Sequence, residues 1–402
     1  MFRNPILTTN VPLSTEEFPE GTRLAVNQAL LREAQATGPT RVPVARPRLP
    51  SAEAVFPYLQ RIDDAGWYSN FGPLLNEFEA RLAGRFPAGT EVVTVTNATQ
   101  ALTLTLMAMD LPAGGYVVMP AWTFVATAHA VVQAGLRPWF ADVDPDNWML
   151  RPEAVTALPA EVRNQVVAVM PVSAFGAPGD MAAWQAFRDE TGLPVLVDAA
   201  AAFDTLDDAD LPAVVSLHAT KVLGIGEGGF LATRDAALAG RVRQLTTFGF
   251  HGGRESHVAA TNAKLSEYAA AVGLAGLDAW PADRFRFLRA AQQLRISLIG
   301  RPEVRFQDGW GSEWATSVCT VGLPDGTAGT VAAALHQQGI DTRQWWGTGC
   351  HTAPAFSDFA RGDLRHTDRL AGSVIGLPFS IDLSAPETAR ISAALQQALA
   401  GL

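Results

Sequence analysis

At 402 residues, 48% of them hydrophobic, the chain is long enough for two domains with substantial cores. A formal net charge of −10, with no basic cluster, argues against nucleic acid as the main partner. The two cysteines, Cys319 and Cys350, cannot build a disulfide framework and lack metal-site spacing, so a reducing cytoplasm is the expected address and no metal is expected. No apolar run reaches the ~18 residues that span a bilayer, and residues 1–18 lack the basic-then-apolar order of a secretory signal.

In chain order, residues 1–40 are polar and irregular, then helix-like from Arg23 to Gln35, and are expected to form an arm rather than a domain. From about residue 85 short β runs alternate with helical stretches. The β runs are Glu91–Thr96, Tyr116–Pro120, Arg137–Asp144, Gln165–Phe175, Pro194–Ala199, Ala213–His218 and Gly228–Thr233, with helices at Thr99–Met109, Thr127–Ala134 and Asp180–Thr191. Runs that are apolar along their whole length predict a mixed, mostly parallel seven-stranded sheet covered on both faces. Only a glycine-rich loop separates the last two runs, which leaves room for one antiparallel strand. From Ser266 to Ile299 helix formers dominate, interrupted at Pro281, and a long kinked connection is expected. Beyond Gly300-Arg301-Pro302, the β run Trp314–Gly322 and helices at Thr327–Gln338 and Ala385–Ala400 predict a smaller α/β domain. The division expected is an extension at 1–40, a large domain at 41–280 and a small one at 281–402.

Only two of the 30 basic residues are lysines, and one of them, Lys221, lies just after an apolar strand and just before Gly224-Ile225-Gly226-Glu227-Gly228-Gly229. Arginine supplies charge but stays protonated, so it cannot condense with an aldehyde. A lysine can, once desolvation or neighbouring cations lower its pKa. The plain alternative is a surface lysine in a loop.

Open α/β sheets bind ligands beyond the carboxyl ends of their strands. At four such ends stand Asp198, the pair Ser216 and Lys221, the segment Asn97-Ala98-Thr99, and Trp122. They offer a carboxylate, an amine, a helix N-terminus with hydroxyls, and an aromatic plane, a combination that matches pyridoxal 5′-phosphate. The coenzyme needs an amine to condense with, which Lys221 provides, and a buried carboxylate to keep its pyridine nitrogen protonated, which Asp198 provides. Its phosphate needs free N–H groups, and the amides of Ala98 and Thr99 with the hydroxyls of Thr99 and Ser216 suit it. Each has a plainer reading: Asp198 as the N-cap of a helix starting at Ala199, Asn97 and Thr99 as simple caps, Trp122 as core.

These residues resemble the DegT/DnrJ/StrS-type sugar aminotransferases, from about Arg41 to the C-terminus. Trp67-Tyr68-Ser69-Asn70-Phe71-Gly72-Pro73 with Glu79 is similar to the family's opening motif, and Pro120-Ala121-Trp122-Thr123-Phe124 to its ring-stacking segment. Asp198-Ala199-Ala200 and Ser216 through Lys221 to Gly229 are the most specific matches. The resemblance implies the pyridoxal-phosphate fold type I architecture and a homodimer with shared active sites, in which Asn262 reaches the coenzyme phosphate of the neighbouring subunit. It also implies L-glutamate as amino donor and a keto sugar as acceptor, with dTDP-linked 4-keto-6-deoxyhexoses handled by the closest subgroup. The chain departs from the pattern at Ala201, where glutamine is usual, at Ala263 and Lys264, where tyrosine and arginine often stand, and at Ser173, where histidine is common. His351 and the pair Trp345-Trp346 fall in the substrate-side segment, with solvated or core roles as alternatives. Two rival readings remain, a pyridoxal-phosphate dehydratase or lyase on a related sugar and a non-catalytic coenzyme-binding regulator. Lysine at 221, where the related dehydratases carry histidine, favours transamination.

Overall fold

Val-rich segments with few polar side chains build the centre of the molecule, as their composition demands. The computed structural model describes residues 41–402, so the expected arm at 1–40 lies outside the described residues. The strands are β1 (Glu91–Val95), β2 (Tyr116–Pro120), β3 (Arg137–Ala141), β4 (Val166–Val169), β5 (Val197–Asp198), β6 (Ala213–Ser216) and β7 (Gly229–Thr233). They form ladders in the order β1-β7-β6-β5 and β3-β2-β4. Parallel bridges at Val169–Val195 and Val172–Asp198 join β4 to β5, giving one seven-stranded layer. Strand β7 runs antiparallel to both its neighbours, and the remaining pairings are parallel. The single reversal lies at the connection of residues 217–228, which carries Lys221 and holds no helix of the kind that usually carries a parallel crossover.

Two expected runs are shorter than their apolar composition suggested. The run Gln165–Phe175 pairs regularly only to Val169, because Pro171 has no N–H to donate and Phe175 turns into the left-handed region at φ 55°. Of Trp314–Gly322 only Cys319–Gly322 is strand (β9), between β8 (Arg305–Phe306) and β10 (Val374–Leu377) in a small antiparallel sheet. Trp314 is instead folded into a turn, its indole N–H donating to the Asp308 carbonyl at 2.9 Å.

The helix Glu267–Ser297 runs on through Pro281, so the boundary expected at residue 280 falls inside one helix. Ser266 caps it, and the first turn packs tightly on the helix Pro73–Ala83. A Cβ on Gly273 would lie 2.5 Å from the Phe78 ring, so only glycine permits this approach. Glu267 is buried, and its carboxylate accepts the Leu74 and Leu75 amides at 2.8 and 2.9 Å. That satisfies orphan donors of the second helix with a charge at its positive end. Glu79 accepts the Thr94 amide at 2.8 Å and pairs with Arg243 at 2.7 Å, tying the same helix to β1.

Residues 42–45 pair with the C-terminal part. Val42 donates to the Gly339 carbonyl at 2.9 Å and Phe379 donates to that of Val44 at 3.1 Å. Among the described residues no helix is long and apolar enough to cross a membrane.

Candidate active site

The ladder β6-β7-β1 assembles one end of the site. Ser216 sits opposite Gly229, and Gly229 opposite Val95, so Ser216 and the segment after β1 become neighbours across one glycine. A Cβ on Gly229 would stand 2.5 Å from the Ala98 nitrogen, so the helix Ala98–Ala108 starts directly against that backbone. Asn97 caps this helix by accepting the Gln100 amide at 2.9 Å, and the first backbone bond runs from Ala101 to Asn97. The Ala98 and Thr99 amides precede that bond, at the positive end of the helix, where an anion is favoured. Ser216 accepts the His218 amide at 3.2 Å through Oγ, which leaves its hydroxyl hydrogen to donate. Capping by Asn97 and an anion seat at Ala98 and Thr99 are therefore compatible.

Asp198, buried at the end of β5, forms the floor. Its Oδ2 accepts the Thr127 hydroxyl at 2.8 Å and its Oδ1 the Ala200 amide at 3.1 Å. No helix follows it, so the N-cap reading of Asp198 falls away in favour of a turn at Ala200. Lys221 is half-buried overall, with its backbone held by the His218 carbonyl at 2.8 Å. Burial pushes the Lys221 ammonium toward the neutral amine, opposed by the charge of Asp198. Burial likewise raises the Asp198 carboxyl, opposed by the Thr127 hydroxyl, the Ala200 amide and Lys221. A desolvated amine and a desolvated carboxylate thus act on one another's charge, a nucleophile together with an anion that can hold a proton on a third group.

Trp122 does not offer a face. It is only 2% exposed, its Nε1 is without a partner, and the Trp346 ring meets it edge to face at 5.5 Å. Trp346 in turn stacks on Phe175 at 3.9 Å. Two residues on, Phe124 is 57% exposed at the N-cap of the helix Val125–Gln133, one turn ahead of Thr127 with its bond to Asp198. An aromatic ring left in the open beside a buried carboxylate is the feature that reading along the sequence passed over. Its signal was the spacing Phe124 to Thr127, which puts both on one side of the first helical turn.

Asn262 is exposed, and its Oδ1 accepts the Lys264 ammonium at 2.6 Å. The neighbouring Ala263 carbonyl accepts the Thr96 amide at 2.9 Å, so the segment borders the free edge of β1 near the helix start. Ala201 follows the Asp198 turn, and Ser173 donates its amide to the Asp198 carbonyl at 3.0 Å. His351 is buried, with its Nδ1 unpartnered and its Nε2 3.6 Å from Asp368; burial holds its pKa below the usual value. Its neighbour Cys350 donates to the Ala121 carbonyl at 2.8 Å, which brings the segment to the end of β2.

The donor set fits pyridoxal 5′-phosphate. The set comprises an amine and a carboxylate that act on one another's charge, a helix start and a serine hydroxyl brought near each other across Gly229, and an exposed phenyl ring one turn ahead of Thr127. Comparison with known proteins agrees. Residues 51–396 match the DegT/DnrJ/EryC1/StrS aminotransferase family. Protein Rv3402c of Mycobacterium tuberculosis is 30% identical over 407 aligned residues, which cover 96% of this chain and 97% of that protein. The dTDP-4-amino-4,6-dideoxy-D-glucose transaminase of Shigella dysenteriae is 32% identical over 243 residues, 58% of this chain and 64% of the relative. The crystal structure of DesI in the presence of its TDP-sugar product superposes with a TM-score of 0.80 at 35% identity, covering 90% of this chain and 94% of that one.

Proposed function

Because the chain belongs to the DegT/DnrJ/EryC1/StrS aminotransferase family, whose enzymes work with pyridoxal 5′-phosphate, we propose that it moves the amino group of L-glutamate to a dTDP-linked 4-keto-6-deoxyhexose. The observation that carries the reading is Asp198, buried at the end of β5 and held by Thr127 and Ala200, with the charge of Lys221 acting on it. The likeness to DesI and to the Shigella transaminase supports a dTDP sugar.

Bound at this site, the coenzyme supplies a protonated ring that withdraws electrons from the carbon carrying the amino group. The chain's own residues do the rest. The Lys221 amine, held toward its neutral form, would be the group that holds the coenzyme at its aldehyde carbon and, when free, would move a proton at the substrate carbon. Asp198 keeps the ring nitrogen protonated. The Ala98 and Thr99 amides and the Ser216 hydroxyl hold the phosphate, joined by Asn262 from the second subunit of a homodimer. Phe124, not Trp122, covers the ring face.

Coenzyme-loaded protein should release 2-oxoglutarate from L-glutamate, then aminate a dTDP-4-keto-6-deoxyhexose in a second, separable half-reaction. Release from another amino donor alone would replace glutamate, and preference for UDP- or GDP-sugars would replace the carrier. An amino sugar losing water or ammonia without net transamination would turn the reading to a dehydratase or lyase.

For the ring face, Phe124→Ala should weaken coenzyme binding about three- to tenfold, the usual worth of one aromatic contact. Fluorescence titration of apoprotein measures it. Trp122→Phe should leave that Kd within about twofold and act on stability instead, as partial emptying of a core site does. The opposite ranking would return the stacking role to Trp122.

A further inference from the structure

Three buried groups in a row run from β2 to Asp198. Thr123 and Thr127 are 1% and 0% exposed, their hydroxyl oxygens are 2.8 Å apart, and Thr127 continues to Asp198 Oδ2 at 2.8 Å. A threonine hydroxyl has one hydrogen. If Thr127 spends its hydrogen on a carboxylate, its oxygen must accept from Thr123, so both hydroxyls point the same way. Hydrogen bonds in such a chain polarise one another in a low-dielectric interior. The remaining carboxylate oxygen is engaged by the Ala200 amide at 3.1 Å. Both oxygens of Asp198 are therefore met by donors, which is the environment of an ionised carboxylate.

We propose that Thr123 and Thr127 are positioning residues, a hydroxyl relay that holds Asp198 ionised and aimed at the coenzyme ring nitrogen. The proposal rests on the assignment of Asp198 to that nitrogen. The relay has a particular use in this reaction. Among the described residues Lys221 is the charged group that acts on Asp198, and its side chain is drawn into the reaction at every turnover, so its influence is not constant. Burial works against the anion throughout the cycle. The two hydroxyls, with the Ala200 amide, are the constant opposing influence, because none of them titrates or reacts. Position explains why Thr127 can serve. It lies in the first turn of the helix Val125–Gln133, so the positive end of that helix acts on the carboxylate as well.

The test compares Thr127→Val, which keeps shape but removes the hydroxyl, with Thr127→Ser, which keeps the hydroxyl. Coenzyme affinity is read by titrating apoprotein with pyridoxal phosphate, and the pH dependence by turnover and by absorbance of the bound coenzyme. The relay favours the ionised form, so removing it raises the Asp198 pKa, and the acid limb of kcat should move to higher pH. A shift of about one pH unit and a coenzyme Kd raised about tenfold are expected for Thr127→Val, as for a lost bond to a charged group. Thr127→Ser should recover most of both, and Thr123→Val should move the limb the same way by a few tenths of a unit.

A merely structural role predicts lower melting temperatures with an unmoved acid limb, and that result overturns the relay. So does a Thr127→Ser protein as impaired as Thr127→Val, which would assign the effect to the methyl group. Should Thr127→Val fail to fold, Thr123→Val decides, and an unmoved limb in that variant counts against the proposal. A wild-type protein that takes up no coenzyme would instead remove the assignment of Asp198 on which the relay depends.

Discussion

Lys221→Arg is expected to abolish turnover, by roughly four orders of magnitude or more, while the protein folds and keeps a cation at the same place. A guanidinium stays protonated at any pH the fold survives, so it can neither attack an aldehyde nor shuttle a proton. Loss on that scale corresponds to about 5 kcal/mol or more of barrier. Borohydride reduction of the wild-type holoenzyme followed by peptide mapping should place the coenzyme on Lys221, and a label on Lys264 would sink the assignment. The same residue tests subunit sharing. Inactive Lys221→Ala mixed with inactive Asn262→Ala should regain up to about a quarter of wild-type activity at full exchange, because half the dimers are mixed and each mixed dimer holds one intact site. No recovery despite demonstrated exchange would put Asn262 in its own subunit's site or outside any site.

Asp198→Asn should lower turnover by about two to three orders of magnitude, near 3–4 kcal/mol of barrier, with little change in shape. Asparagine can still fill the space beside Thr127 and Ala200, but it carries no charge to keep the ring nitrogen protonated. The amide oxygen can accept the Ala200 amide while its NH2 group donates to the Thr127 hydroxyl, which then turns its own hydrogen toward Thr123. Turnover within about tenfold of wild type, measured at saturating coenzyme, would move the role of ring-nitrogen partner elsewhere.

Much of this site was legible along the chain because its parts are local. Val-rich runs name strands, a polar residue closing such a run marks the sheet's carboxyl edge, and a lone lysine among arginines marks reactive chemistry. Lys221, Asp198, Ser216 and the turn at Asn97 all carried that kind of signal, and the tertiary structure gathers them at one edge of one sheet. The antiparallel strand β7 was foreseeable too, because only a glycine-rich loop, and no helix, stands before it.

What the sequence could not settle depends on residues far away in it. Trp122 and Phe124 stand two apart, and either could have been the exposed ring. Trp346 and Phe175 decide between them by covering Trp122. Glu267 reads as a residue in the first turn of its own helix, yet it caps the helix Pro73–Ala83. Ser216 and the start of the helix Ala98–Ala108 come near each other across Gly229 only because β7 lies between β6 and β1. By itself, the sequence determined where the seven strands of the large sheet lie and which functional groups stand at their ends, since backbone preference and functional groups belong to single residues and their near neighbours. Only the tertiary structure decided which ring is open, which hydroxyl meets Asp198 and which carboxylate caps which helix, because burial and hydrogen-bond partnership are properties of pairs that the chain keeps apart until the sheet closes.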